Sequence, residues 1–125
     1  EFGAKLIYDL AMQGDAQAQE IFRIVGNALG VVLADLVNLF NIPMYVIGGG
    51  VASAWSAFAP TMMETVRRNS FVYRATAPAG NATGSSAKNG AVRASIIAPA
   101  KLGSDAGLIG AARMPMMARE TASAR

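Results

Sequence analysis

The 125-residue sequence contains no cysteine and no histidine. Without cysteine the chain cannot have a disulfide framework or a thiolate metal site. Without either residue it has no zinc site of the Cys/His type. No acidic residue stands in an obvious position for a catalytic base, so no catalytic residue and no metal ligand is assigned. These absences are typical of a ligand-binding part of a larger protein rather than of a complete enzyme.

Charge is also scarce, at 15% of residues against 53% hydrophobic residues. Compared with an average soluble domain, the hydrophobic fraction is high and the charged fraction is low, which is typical of a chain with much buried surface. We expect one domain whose excess apolar surface is covered by a second copy or by a further domain, a compact alanine-rich fold being the alternative. The net charge of +3 comes from scattered basic residues, which does not indicate a nucleic-acid-binding face.

Long apolar runs are missing as well. A membrane-spanning helix needs about 18 uninterrupted apolar residues, and the best candidate, residues 21–40, is interrupted by Arg23, Asn27 and Asp35. No signal peptide is visible. We therefore expect no membrane contact and a cytoplasmic location.

Hydrophobic periodicity and turn residues predict an alternating order of helices and strands. Residues 75–90 form a long connection of small and polar residues, and the tail from Met114 is expected to fray. A βαβ unit predicts parallel strands and a right-handed crossover, and its two strands need more strands from elsewhere to form a stable sheet. The predicted elements are helices over 4–13 and 16–40, a strand over 44–47, a helix over 58–69, a strand over 92–97 and a helix over 105–113.

The predicted helix over 16–40 carries small residues at every fourth position, namely Gly26, Gly30 and Ala34. A ridge of small residues lets another backbone pack closely, either within the chain or at a subunit interface. The remaining apolar circumference of this helix is expected to be buried, apart from one stripe of polar or small residues. That stripe consists of Arg23, Asn27, Gly30, Ala34 and Asn38.

Three glycines, Gly48, Gly49 and Gly50, followed by Val51, come directly after the predicted strand over 44–47. The spacing is neither a G-x-G-x-x-G fingerprint nor a Walker A loop. Ligands of α/β sheets bind at the carboxyl ends of parallel strands. The glycines therefore form either a ligand-contacting loop or a tight structural turn.

Three segments of the sequence are informative together: 14–16 (GDA), 33–51 (LADLVNLFNIPMYVIGGGV) and 102–112 (LGSDAGLIGAA). They resemble the ROK family of bacterial sugar kinases and repressors, over about residues 5–113 and in the right order. The resemblance implies an α/β fold that is part of an actin/hexokinase-like (ribonuclease H-like) ATPase lobe, with the order helix-strand-helix-strand-helix. It also implies that residues 1–113 are the truncated C-terminal lobe of a sugar kinase and that residues 114–125 are a tail.

The resemblance further implies that Gly48, Gly49, Gly50 and Val51 lie against the adenosine of ATP, which acts with Mg²⁺ in the complete enzyme. Family members commonly form homodimers through this lobe. The family's phosphate loop, its catalytic Asn-Asp pair, its sugar-binding Glu-x-Gly-His motif and its zinc site are absent from this sequence. We expect the chain to supply an adenosine-side loop and a dimer surface without being catalytically complete.

Two other interpretations stay open at this stage. The chain could be the ligand-sensing lobe of a ROK-type repressor, in which case nucleic acid would be a partner of the missing N-terminal part. It could also be a self-associating fragment without kinase activity.

Overall fold

The computed structural model describes residues 3–76 and 95–123. Within these residues the predicted alternation of helices and strands is confirmed, with one further helix, α4, after α3. Short 3-10 helices at Gly50–Ala54 and Gly103–Asp105 precede α3 and α5. The elements are α1 (Ala4–Met12), α2 (Ala16–Phe40), β1 (Met44–Ile47), α3 (Trp55–Asn69), α4 (Phe71–Thr76), β2 (Ile96–Pro99) and α5 (Ala106–Ser123).

Both ends of α2 follow from local residue chemistry. Gly14 takes a positive φ of 94° between α1 and α2. The carboxylate of Asp15 accepts a hydrogen bond from the amide of Ala18 at 2.8 Å, which makes Asp15 the N-cap of α2. At the other end Asn41 adopts a left-handed conformation, and its amide donates to the carbonyl of Val37 at 3.0 Å. Such a residue ends a helix by satisfying one of its free carbonyls.

The two strands pair in parallel, in a register that runs from Met44 opposite Ile96 to Ile47 opposite Pro99. Tyr45 is buried on the face that packs against the helices, and its hydroxyl donates to the carbonyl of Leu36 at 2.9 Å. Alternate residues of a strand point to opposite faces. Met44 and Ile96 accordingly lie exposed on the other face.

The second strand differs from the prediction of 92–97. Residues 92–94 lie outside the described part of the chain, and the strand occupies Ile96–Pro99. Ala98 and Pro99, which were expected to close the strand, are paired with β1. Proline is tolerated there because the final position of a strand at a sheet edge need not donate a ladder hydrogen bond.

The core is centred on α3, which begins at Trp55 rather than at the predicted residue 58. Phe58, Met62 and Val66 are fully buried on one side of this helix, as the i, i+4 spacing predicts. The ring of Trp55 meets that of Phe58 edge to face at 5.6 Å between centroids. The aromatic pair therefore belongs to the packing of the core.

The small residues of α2 form its contact with α3. A Cβ atom on Gly26 would lie 2.5 Å from the carbonyl oxygen of Phe58. A Cβ atom on Gly30 would lie 2.6 Å from Cβ of Thr65 and 2.7 Å from the carbonyl oxygen of Met62. Real Cβ atoms do not approach so closely, so the ridge serves helix packing within the chain.

Two members of the polar stripe of α2, Asn27 and Asn38, lie beside this contact, whereas Arg23 is exposed. Asn27 Oδ1 accepts a hydrogen bond from the hydroxyl of Thr65 at 3.1 Å, and Asn38 Oδ1 accepts one from the hydroxyl of Ser70 at 2.8 Å. The expectation that the large apolar residues of α2 are buried is therefore wrong. On the opposite face an outer stripe of five side chains is 41–74% exposed. This outer stripe consists of Ile21, Ile24, Val31, Val32 and Leu39.

Helix α5 is longer than predicted. It continues to Ser123, whereas the sequence predicted fraying from Met114, and residues 106–115 are exposed.

The predicted connection over 75–90 lies outside the described residues from 77 onward, and residues 75 and 76 belong to α4. No helix in the described part of the chain is both long enough and apolar enough to cross a membrane.

The turn after β1 depends on glycine. Gly49 has φ 87° and ψ −177°, a region that is open essentially to glycine alone. Its carbonyl accepts the amide of Ala52 at 3.1 Å, and the carbonyl of Gly50 accepts the hydroxyl of Ser53 at 2.6 Å. The glycine loop is therefore a defined turn that leads into a 3-10 helix.

Gly30→Ala is expected to lower the free energy of unfolding by about 1–3 kcal/mol, because the added methyl group overpacks a contact with backbone that cannot rotate away. Urea denaturation followed by far-UV circular dichroism measures the change. Gly107→Ala is the matched control, since Gly107 is helical with open space around it, and alanine there should stabilise by up to about 1 kcal/mol. Unchanged stability of Gly30→Ala would contradict the close α2–α3 packing.

Gly49→Ala is expected to cost about 1–3 kcal/mol of stability, because any L-residue is strained at this φ and ψ. Gly50→Ala, one residue further along, adds a methyl group into open space without a positive φ. It should change stability by no more than about 0.5 kcal/mol. Chemical denaturation of both variants checks the difference, and equal effects would show that the turn does not require glycine at position 49.

Candidate functional site

The glycine loop lies against the segment that follows β2. Because β1 and β2 are parallel and in register, Gly48 and Ala100 leave the sheet at the same edge. The amide of Ala100 donates to the carbonyl of Ile47 at 2.8 Å. A Cβ atom on Gly48 would lie 3.5 Å from Cβ of Ala100. The two segments are thereby held side by side at the carboxyl ends of the strands, where α/β sheets bind ligands.

A cavity of about 270 Å³ opens between these two segments. One wall is the loop after β1 with the 3-10 helix that it enters, and the other wall is the turn after β2. Most of the lining is backbone or small side chains. The lining residues are Gly49, Gly50, Ala52, Ser53, Ala100, Lys101 and Gly103.

The chemistry of the cavity suits a ligand with many oxygen acceptors. No heavy atom lies within 4 Å of the place where a Cβ atom would stand on Gly49, Gly50 or Gly103, so a ligand can approach the backbone closely. Gly50 and Val51 begin the 3-10 helix, and the first amides of a helix have no acceptor inside it. They can donate to an oxygen of a ligand.

Of the four predicted site residues, two line the cavity and two do not. Gly49 and Gly50 line the cavity, whereas Gly48 joins the loop to Ala100. The side chain of Val51 is 55% exposed and is not part of the lining.

Four of the seven lining residues were not predicted from the sequence. No role was predicted for Ala52, Ser53, Ala100 or Lys101. The signal was available for the last two, because they directly follow β2 and the carboxyl ends of parallel strands meet at one edge. The lining contains one charged side chain, that of Lys101, and no carboxylate.

A second cavity of about 470 Å³ lies between α1, α2 and the start of α3. It is larger, but its two charged groups and the hydroxyl of Ser56 already have partners. Arg23 Nε donates to Glu20 Oε2 at 2.6 Å, and this hydrogen bond lowers the pKa of the Glu20 carboxyl. The hydroxyls of Tyr8 and Ser56 share a hydrogen bond of 2.9 Å. The smaller cavity offers amides and a cation, and is therefore the candidate site.

Within residues 3–76 and 95–123, no group of three or more acidic residues is placed to hold a metal ion.

Comparisons with known proteins agree on one family. The sequence model of the ROK family matches residues 1–117. A candidate sugar kinase from Cytophaga hutchinsonii ATCC 33406 is 28% identical with a TM-score of 0.68, over 93% of this chain and 33% of that chain. A ROK family glucokinase from Streptomyces griseus, in complex with glucose and AMPPNP, is 30% identical with a TM-score of 0.63, over 88% of this chain and 30% of that chain.

The chain therefore spans about a third of the length of these two solved proteins. No curated protein matches it significantly. Both structural neighbours are sugar kinases of the actin/hexokinase-like fold, which confirms the predicted fold class. With 117 of its 125 residues matched by the family's sequence model, the chain belongs to the ROK family.

Proposed function

We propose that this chain is the C-terminal lobe of an ATP-dependent sugar kinase and that the cavity beside Gly49 and Gly50 receives the adenosine side of ATP. The observation that carries the proposal is the meeting of the glycine loop with the turn after β2 at the carboxyl edge of the parallel sheet. Nucleotides bind at this edge in many α/β folds. The AMPPNP in the Streptomyces griseus glucokinase is an ATP analogue, which supports ATP as the nucleotide.

The residues of the cavity suit the ribose and phosphate groups of a nucleotide in their chemistry. Gly49 and Gly50 leave the backbone bare, so a ribose can lie against it. The amides of Gly50 and Val51 are positioned to donate to ribose or phosphate oxygens. Gly48 lies beside Ala100, where the hydrogen bond from Ala100 to Ile47 holds the two segments together. In this assignment the four residues predicted from the sequence act through their backbone.

The complete enzyme would transfer the γ-phosphoryl group of ATP to a sugar hydroxyl. In phosphoryl transfer an aspartate orients or deprotonates the attacking hydroxyl, and Mg²⁺ neutralises the phosphate charge. We assign these tasks to the N-terminal lobe of the parent protein, so this chain alone should not phosphorylate a sugar. Both structural neighbours are sugar kinases, which favours a kinase parent over a repressor parent.

Titration of the ¹⁵N-labelled chain with ATP is expected to shift the amide resonances of residues 48–53 and 100–103. Gly50→Val should weaken ATP binding at least about tenfold, because its side chain would occupy the cavity and remove close backbone contacts. Gly107→Val is the matched control, since it also adds a valine at an open glycine but lies outside the cavity.

Two results would contradict the proposal. If Gly50→Val binds ATP as the unmodified chain does, the nucleotide lies elsewhere. If the 125-residue chain phosphorylates glucose in a coupled assay, it is not a lobe that depends on a second lobe for catalysis.

We also propose that the outer stripe of α2 is the surface through which two copies associate. A helix that is apolar on opposite faces is buried on both in its working state. One face of α2 packs on α3, and the outer stripe, which includes Leu39 at 74% exposure, has no cover within the described residues. Apolar side chains grouped on one helix face in this way mark an interaction site, and the exposed carboxylate of Asp35 lies among them.

Val32→Glu is expected to convert a dimer into a monomer, because it places a charge in the middle of the outer stripe. Val32 is already 56% exposed, so the substitution should leave the core intact. Size-exclusion chromatography with light scattering measures the mass. Gln13→Glu adds the same charge at an exposed position off the stripe and should leave the mass unchanged. A monomeric unmodified chain would refute the proposed association.

A further inference from the structure

We infer that Lys101 recognises the phosphate chain of the nucleotide, an inference that rests on the proposed function of the same cavity. Lys101 follows β2 directly, after Ala100, and its side chain is exposed at the lining of the cavity. It is the one charged residue among the seven that form the lining. A single cation on an otherwise neutral wall sets the preference of the cavity for anionic ligands.

The backbone on both sides of Lys101 is held in place. On the strand side the amide of Ala100 is hydrogen-bonded to Ile47 at 2.8 Å. On the other side Gly103 turns with a φ of 52°, and the amide of Asp105 donates to the carbonyl of Leu102 at 3.1 Å. The base of the lysine side chain is therefore fixed at the cavity, and only its flexible stem must adjust to a ligand.

No carboxylate is shown to neutralise Lys101. The salt bridge recorded among the described residues joins Arg23 to Glu20, and those two residues belong to the other cavity. Lysine is a compact point charge on a flexible stem and binds phosphate groups in that way. Among the described residues no salt bridge engages its ammonium group.

The wall opposite Lys101 carries the start of the 3-10 helix at Gly50. Gly50 carries no side chain and no heavy atom lies within 4 Å of its Cβ position, so a phosphate can lie close to this wall. An anionic group between the two walls would then be held by the ammonium group of Lys101. A phosphate attached to a ribose at the glycine loop meets this requirement, whereas a nucleoside alone does not use the lysine.

The experiment compares the affinities of the 125-residue chain for adenosine, AMP and ADP, measured by ¹⁵N resonance shifts at constant ionic strength. Lys101→Ala should weaken ADP binding about tenfold and leave adenosine binding within about twofold, because a charge-assisted contact is lost from the phosphate only. Lys101→Arg should retain most of the ADP affinity. Lys5→Ala removes the same charge on α1, outside the cavity, and should have no effect.

The outcomes separate the two proposals. Shifts at residues 48–53 with equal ADP affinity in Lys101→Ala would overturn the role of Lys101 and leave the nucleotide site standing. An equal loss of adenosine and ADP affinity would also overturn it, because the lysine would then act on the nucleoside or on the fold. If the unmodified chain binds neither adenosine nor ADP, both the proposed function and the role of Lys101 fail.

Discussion

The close approach of α2 and α3 is the contact on which the rest of the structure depends. Two glycines, Gly26 and Gly30, let the backbone of α3 come so near that a single methyl group would collide with carbonyl oxygens. This approach buries Phe58 and Met62 completely. Because α3 follows the glycine loop through one short 3-10 helix, fixing α3 against α2 also fixes where that loop can lie relative to the sheet.

The parallel register of β1 and β2 then positions the two segments that form the candidate site. It brings Gly48 and Ala100 to one edge, although 52 positions separate them in the sequence, and it sets Lys101 across from Gly50. The resulting cavity is smaller than the one between α1, α2 and α3. It is the better candidate because a ligand needs polar groups that are not already satisfied, and size alone does not supply them.

The structure also explains the unusual composition. A chain with 53% hydrophobic residues would be expected to bury them, yet the outer stripe of α2 and residues such as Met44 and Ile96 of the sheet stay exposed. The two-stranded sheet of the described residues packs on the helices through one face and leaves the other face exposed. The chain spans about a third of the length of its two solved relatives.

The sequence by itself determined the local features: the bounds of α2, the cap at Asp15, the turn at Gly49 and the resemblance to the ROK family. Each depends on residues that are neighbours along the chain. Tertiary structure decided which face of α2 is buried, the position of β2 and the inclusion of Lys101 in the cavity. Periodicity groups residues on faces but cannot choose between two apolar faces. That choice, like the meeting of residues 50 and 101, follows from packing between segments distant in sequence.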